Sequence, residues 1–210
     1  MHDYPGKLIV FDGPDGGGKT TQCRLALDYL KTKGRTVHYL REPGGTKIGE
    51  EVRRILLDPK HEDMTPEAEL LLYQASRTQL VQTVVIPALK EGDDVLLDRF
   101  FSATFAYQII AGNLPREQGM TVIEFATLGL KPDLTCVFDL PPEVGLARGG
   151  ARGALDRIEQ KDLEYHIKVR DGFLEYARLN PQSTVVIDAA KTIEEIHIDI
   201  KKILEERVLS

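Results

Sequence analysis

The sequence predicts a three-layer α/β fold: a five-stranded parallel sheet with helices on both faces. Three observations carry this. Short apolar runs alternate along the whole chain with longer helical patterns, the arrangement that gives parallel strands joined by right-handed crossovers. The runs are rich in β-branched and apolar residues without strict polar alternation, as strands buried on both faces require. With 210 residues and no composition break or internal repeat, the chain is the size of one domain, residues 1–210.

The elements follow in order. Strands are expected at residues 8–11, 37–40, 95–97, 134–138 and 185–187. Helices are expected at about 19–33, 49–57, 66–89, 101–111, 117–128, 142–147, 159–178 and 192–207. Gly34 is placed to end the first helix, because glycine takes the left-handed conformation of a helix stop without penalty. Each apolar run is followed at once by charge: Asp12, Arg41, Asp98-Arg99, Asp139 and Asp188. Ligands of open α/β sheets sit beyond the carboxyl ends of the strands, so these residues are candidates for one functional rim.

Composition excludes several classes. The chain is 42% hydrophobic and 29% charged, which fits a globular domain and not a disordered one. No apolar run approaches the roughly 18 residues needed to cross a bilayer, and residues 1–7 do not begin a secretion signal. A net charge of −6 argues against a nucleic-acid polymer as partner. Two cysteines, Cys23 and Cys136, make neither a disulfide framework nor a zinc site. They read as buried small hydrophobes of a cytoplasmic protein.

Gly13-Pro14-Asp15-Gly16-Gly17-Gly18-Lys19-Thr20 fits G-x-x-x-x-G-K-[ST], with a strand before it and a helix after it. Glycines let backbone amides turn toward phosphate oxygens, and the following helix N-terminus adds its positive end. Lys19 would reach the β- and γ-phosphates, and the Thr20 hydroxyl would ligate Mg2+. The motif predicts a P-loop NTPase fold that binds a nucleoside triphosphate. No N-K-x-D signature occurs, which argues against a GTPase, and the chain is short for a motor.

A second anionic site is suggested by Arg41-Glu42-Pro43-Gly44-Gly45-Thr46, Asp98-Arg99, and Arg53-Arg54. Arginine suits a phosphate monoester because its fork donates two parallel charge-assisted bonds. At least one of Arg53 and Arg54 is expected on a solvated helix face. Tyr73 and Arg77 share one helix face, as do Thr104, Tyr107 and Gln108. Spacing alone fits either a base-binding wall or an ordinary amphipathic interior.

At this point the chain resembles the thymidylate kinase family. The resemblance rests on residues 11–22, Arg41-Glu42-Pro43-Gly44-Gly45-Thr46, Ala75-Ser76-Arg77, Pro87-Ala88-Leu89, Asp98-Arg99, Ala106-Tyr107-Gln108, Lys131-Pro132-Asp133-Leu134-Thr135 and Asp156-Arg157-Ile158-Glu159. It implies phosphoryl transfer from ATP to dTMP, in dTTP biosynthesis, with Mg2+. By resemblance, Tyr73 stacks on thymine, Arg77 bonds its O4, Thr104 faces N3, and Tyr107 crowds the sugar 2′ position with Gln108 beside it. Arg41, Arg53 and Arg99 hold the dTMP phosphate, with Pro43 nearby, and Asp15 meets the 3′-hydroxyl. Asp98 acts through the metal and its waters. Gly13, Asp15, Gly16, Gly17, Gly18, Lys19, Thr20 and Thr21 hold ATP.

Residues 148–157 resemble the family's mobile lid. One subgroup carries an arginine in the P-loop; Gly16 stands there in this chain, so the bacterial pattern is implied. In that pattern Arg148 and Arg152 from the lid meet ATP, and Arg152 joins Lys19, Asp98 and Arg99 in catalysis. A helix C-terminal cap is the other reading of Arg148. The family also implies a homodimer formed through helix faces. Asp12, Phe100, Ala103 and residues 109–112 depart from the family's usual residues and bear on the local shape of the second site. Two rivals remain on the sequence: a kinase for another nucleotide, and a non-catalytic nucleotide sensor.

Overall fold

The structure, a computed structural model, describes residues 2–150 and 155–209. Five strands, β1 (Leu8–Asp12), β2 (Val37–Arg41), β3 (Asp94–Asp98), β4 (Leu134–Asp139) and β5 (Thr184–Asp188), form one sheet in the order β2-β3-β1-β4-β5. Every pairing is parallel, as the alternation of runs and helices predicts. Each expected strand gains the charged residue that follows its run: Asp12, Arg41, Asp98, Asp139 and Asp188 all close a strand. The chain leaves central β1 for one side and later returns to the other. The topological switch therefore lies at the carboxyl end of β1, where the glycine loop begins.

Along β1, side chains alternate between two cores. Leu8 and Val10 pack with Leu80, Val85, Phe105, Ile123 and Tyr176 on one face. Ile9 and Phe11 pack with Cys23, Ala26, Leu30, Ile196, Ile200 and Leu204 on the other. Both cysteines are free and buried in the second core, the place expected of small hydrophobes. Burial pushes the Cys136 thiol up to about 12.

The helices are α1 (Lys19–Thr32), α2 (Lys47–Leu57), α3 (Pro66–Leu80), α4 (Ile86–Glu91), α5 (Phe101–Thr104), α6 (Arg116–Thr127), α7 (Pro142–Gly150), α8 (Leu163–Leu179) and α9 (Ile193–Arg207). Gly34 has φ +78° just after α1. Thr46, Thr65 and Asp162 each accept a backbone N–H at the start of α2, α3 and α8, and Thr192 with Glu195 makes a capping box on α9.

Three expectations shift. The helix expected over 66–89 is split, with a wider π-helical stretch Val81–Val85 between α3 and α4. Pro87 supplies no N–H and its ring crowds the preceding turn, and the wider turn admits it. The helix expected over 101–111 likewise passes from α5 into a π-helical stretch Phe105–Ala111. The last long helix before β5 starts at Leu163, not 159, because Asp162 caps it.

Candidate active site

The glycine loop leaves the buried end of β1, and a Cβ on Gly13 would lie 2.5 Å from the Phe138 carbonyl of β4. Gly18, at φ +79°, enters α1 with no side-chain cap, so the first amides of α1 face the loop unspent. Lys19 is buried, and its Nζ donates to the Gly13 and Pro14 carbonyls at 3.0 and 2.7 Å. Burial and the nearby Arg99 charge bring its ammonium down to about 8.

The Thr20 hydroxyl donates to Asp98 Oδ2 at 2.7 Å. These are two hard oxygen donors side by side at the loop. Among the described residues there is no cluster of three or more His, Cys, Asp or Glu that could hold a metal. That donor set fits Mg2+, which takes one or two protein oxygens and completes its octahedron with waters and phosphate oxygens.

Arg99 adopts φ +75° and turns its guanidinium back across the loop. It donates to the Gly13 carbonyl at 3.0 Å, approaches Asp12 at 3.5 Å, pairs with Asp15, and lies over the Tyr107 ring. The Tyr107 hydroxyl donates to the other Asp15 oxygen at 2.8 Å. Burial works to raise the Asp15 carboxyl, but Arg99, Lys19 and the Tyr107 hydroxyl outweigh it and hold it at about 2. Asp12 is fully buried and accepts from the Gly13, Phe100 and Ala103 amides and the Ser102 hydroxyl. It fastens the turn after β3 to the glycine loop.

Arg77 is buried. Its Nε and Nη2 both lie 2.7 Å from Glu42 Oε2, its Nη1 donates to Gln74 Oε1 and Thr104 Oγ1 at 2.8 Å each, and Phe100 packs against its face. Burial pushes the Glu42 carboxyl up against the pull of Arg77. The Tyr73 hydroxyl is likewise pushed up by burial and by Glu69.

These groups line two cavities. The smaller, about 110 Å³, is walled by Pro43, Arg53, Tyr73, Arg77, Thr104, Tyr107 and Gln108 among others. The larger, about 550 Å³, is walled by Gly16, Gly18, Lys19, Thr20, Thr21, Arg41 and Asp98. Asp15, Glu42, Arg53, Arg99 and Asp156 line both, so the cavities meet along a shared wall that includes two arginines.

Most of the residues singled out in the sequence converge here. Arg41 lines only the larger cavity and is tied to Glu50 at 3.3 Å. Arg53 faces inward and donates to the Pro43 carbonyl at 3.0 Å, while Arg54 pairs in solvent with Glu51. Gly17 is buried behind the loop. Arg148 sits in the last turn of α7 and reaches the Gly16 and Ala189 carbonyls, at 3.3 Å each. It thus bridges the glycine loop to the segment after β5. Arg152 and the core of the expected lid lie outside the described residues. Arg157, read with the lid arginines, is instead buried and paired with Glu69 at 2.5 Å. Of the charged strand ends, Asp139 pairs with Arg170 of α8 at 2.6 and 2.9 Å, and neither it nor Asp188 is among the residues lining these two cavities.

The sequence reading missed Asp156, Leu57 and Ile158 in the smaller cavity and Arg24 and Tyr39 in the larger. Arg24 lies one turn beyond Thr20 on α1, a spacing that could have placed it. Asp156 and Ile158 stand in the Asp156-Arg157-Ile158-Glu159 segment but were given no contact there, and Leu57 and Tyr39 carry no local signal.

A sequence model of the family described as thymidylate kinase matches residues 11–200. The chain is similar to the thymidylate kinase of Symbiobacterium thermophilum, 46% identical over 199 residues, covering 95% of this chain and 92% of that one. It is 45% identical to the thymidylate kinase of an Exiguobacterium species over 203 residues, covering 97% and 96% of the two chains. That of Carboxydothermus hydrogenoformans is 46% identical over 200 residues, covering 95% and 97%. A parallel five-stranded sheet, a glycine loop at its switch point, two adjoining cavities and these matches lead to one conclusion: the chain belongs to the thymidylate kinase family.

Proposed function

We propose that this protein transfers the γ-phosphoryl group of ATP to dTMP, giving ADP and dTDP, as a nucleoside monophosphate kinase of dTTP synthesis. The observation that carries this reading is the shared wall between the two cavities. ATP lies along the glycine loop with its terminal phosphate toward Arg99 and Arg53. dTMP lies in the smaller cavity with its phosphate against the same two residues. Tyr73 stacks on the base, Arg77 donates to its C4 carbonyl, and Asp15 and Tyr107 bound the sugar.

An oxygen of the dTMP phosphate attacks the γ-phosphorus in line, and the β–γ bridging oxygen leaves with the electron pair of the breaking bond. Such transfer needs little covalent help, so holding and neutralising the two anions is the protein's task. Lys19, Arg99 and Arg53 serve that task, and Arg41 adds charge at the rim. Arg148 holds the adenine side, and Arg152 is the charge supplied at the transition state. Thr20 and Asp98 would hold Mg2+, which when bound neutralises charge on the phosphate oxygens.

The protein acts in the cytoplasm as a single domain. Among the described residues no helix is long and apolar enough to cross a membrane. It works as a homodimer, which sedimentation velocity would report as twice the chain mass. Supporting this are large exposed apolar side chains on neighbouring helices: Phe125 at 80%, Leu71 at 57% and Ile48 at 54% exposure, on α6, α3 and α2. Exposed apolar groups gathered in one area mark association surfaces.

A coupled spectrophotometric assay with Mg2+, ATP and each of dTMP, dUMP, dCMP and dGMP tests the reading. ADP formation is expected with dTMP foremost and little without any monophosphate. Preference for a different base would make this a kinase for another nucleotide. No ADP with any of them would leave a nucleotide sensor.

A further inference from the structure

Behind the smaller cavity lies a buried ion pair that the phosphoryl-transfer chemistry does not use. Glu69, on α3, accepts from Arg157 Nη2 at 2.5 Å through Oε2 and from Gln108 Nε2 at 2.7 Å through Oε1. Arg157 also donates to the Leu56 carbonyl at 2.8 Å. Both side chains of the pair are buried.

A carboxylate paired with a guanidinium can only accept. Gln108 must therefore turn its NH2 to Glu69, and its carbonyl Oε1 is left for the cavity that Gln108 lines.

One turn earlier, Thr104 is fixed in the opposite sense. Arg77 Nη1 can only donate, and it donates to both Gln74 Oε1 and Thr104 Oγ1. Gln74 thus turns its own NH2 toward Thr104, at 3.2 Å. The two lone pairs of Thr104 Oγ1 are then occupied, and only its O–H proton remains to give. The cavity edge offers a donor from Thr104 beside an acceptor from Gln108. A pyrimidine with a C4 carbonyl and an N3–H complements that order. Cytosine, with a C4 amino group and an N3 lone pair, opposes it at both atoms.

We infer that the Glu69–Arg157 pair is a positioning element that sets base choice by fixing the direction of the Gln108 amide. The inference rests on the proposed dTMP site. It also moves the acceptor for N3–H from Thr104, where the resemblance puts it, to Gln108. A site built to pair a ligand hydrogen bond rejects the analogue that leaves its buried groups unpaired.

The test compares kcat/KM for dTMP and dCMP in the wild type, in Glu69→Gln, and in the double variant Glu69→Gln/Arg157→Gln. The double variant removes both charges together, so that no lone buried charge threatens folding. A neutral amide at 69 can donate or accept, which frees Gln108 to rotate. The expected result is a fall of about tenfold or more in the dTMP-over-dCMP ratio in the folded variants, through a higher KM for dTMP and a lower one for dCMP. Equal losses on both bases would make the pair structural only and overturn the inference, as would an unchanged ratio. A wild type that does not favour dTMP over dCMP would instead overturn the dTMP reading itself, and this inference with it.

Discussion

Gly16 shows how one residue constrains the chemistry of the whole loop. Its φ is +76°, and a Cβ built on it would press into the Gly145 carbonyl of α7. Gly145 in turn could carry no Cβ without meeting the Asp15 carbonyl. An arginine therefore cannot stand at this position while α7 packs where it does, and the cation must come from elsewhere. Gly18 has nearly the same φ, +79°, with nothing within 4 Å of its Cβ position. Both alanine variants pay for the left-handed backbone, about 1 kcal/mol. Only Gly16→Ala adds a clash with backbone, bringing its cost to about 2–4 kcal/mol. Thermal melts of the two variants check this, and equal melting temperatures would contradict it. Lys19 carries a pH prediction. In the free protein its ammonium is held at about 8, and bound phosphate must raise it. Above about pH 8, ATP binding then requires proton uptake, and Kd weakens by up to about tenfold per pH unit. Below that pH the dependence on this group vanishes. Calorimetric titration between about pH 7 and pH 9.5 measures the slope, and a flat Kd would contradict the assignment. The residues that act through their sequence neighbours were legible in the sequence: the glycine loop, Lys19 and Thr20 stand within eight positions of one another. Glu69, Gln74 and Arg157 were not. Glu69 and Arg157 are 88 positions apart, and nothing near either one announces the other.

Helical periodicity decides what α2 contributes. Arg53 and Arg54 are adjacent, so about 100° separates them around the helix. One turns to the shared wall of the cavities, and the other pairs with Glu51 in solvent. Arg53→Ala should raise the KM for dTMP by about 10–150-fold, the loss of one charge-assisted interaction of about 1.5–3 kcal/mol. Arg54→Ala should change it less than about twofold, since an exposed pair contributes little. Steady-state kinetics on both variants separate the two, and similar effects would contradict the inward placement of Arg53. Strand ends were legible at this scale because polarity returns where burial stops, and so was the Gly34 stop after α1, but the Asp162 cap that sets the start of α8 was not. The two π-helical stretches were not legible either: the helix over 66–89 was expected to run unbroken through Pro87, although the structure splits it at Val81–Val85. Periodicity over so few turns does not tell a π-helical stretch from an α-helix, and Tyr107 and Gln108 lie in one of those stretches.

Across the molecule, the order β2-β3-β1-β4-β5 puts the glycine loop at the switch point and brings β3's Asp98 level with Phe11 of β1 and Arg41 of β2. On the proposed function, that register, more than any single contact, would let two anionic ligands meet above one edge of the sheet. Alternating runs and helices made the sheet legible. The division of the space above it into two adjoining cavities was suggested only by the clustering of arginines, and their common wall came from tertiary packing. The most direct test is calorimetric titration with thymidine and adenosine joined 5′ to 5′ through a chain of phosphates. If the cavities hold two nucleotides with phosphates facing, this compound binds once per chain, more tightly than ATP or dTMP alone, because the second half binds as an intramolecular event. It also displaces both. Binding no tighter than ATP, with dTMP still bound beside it, would contradict the account.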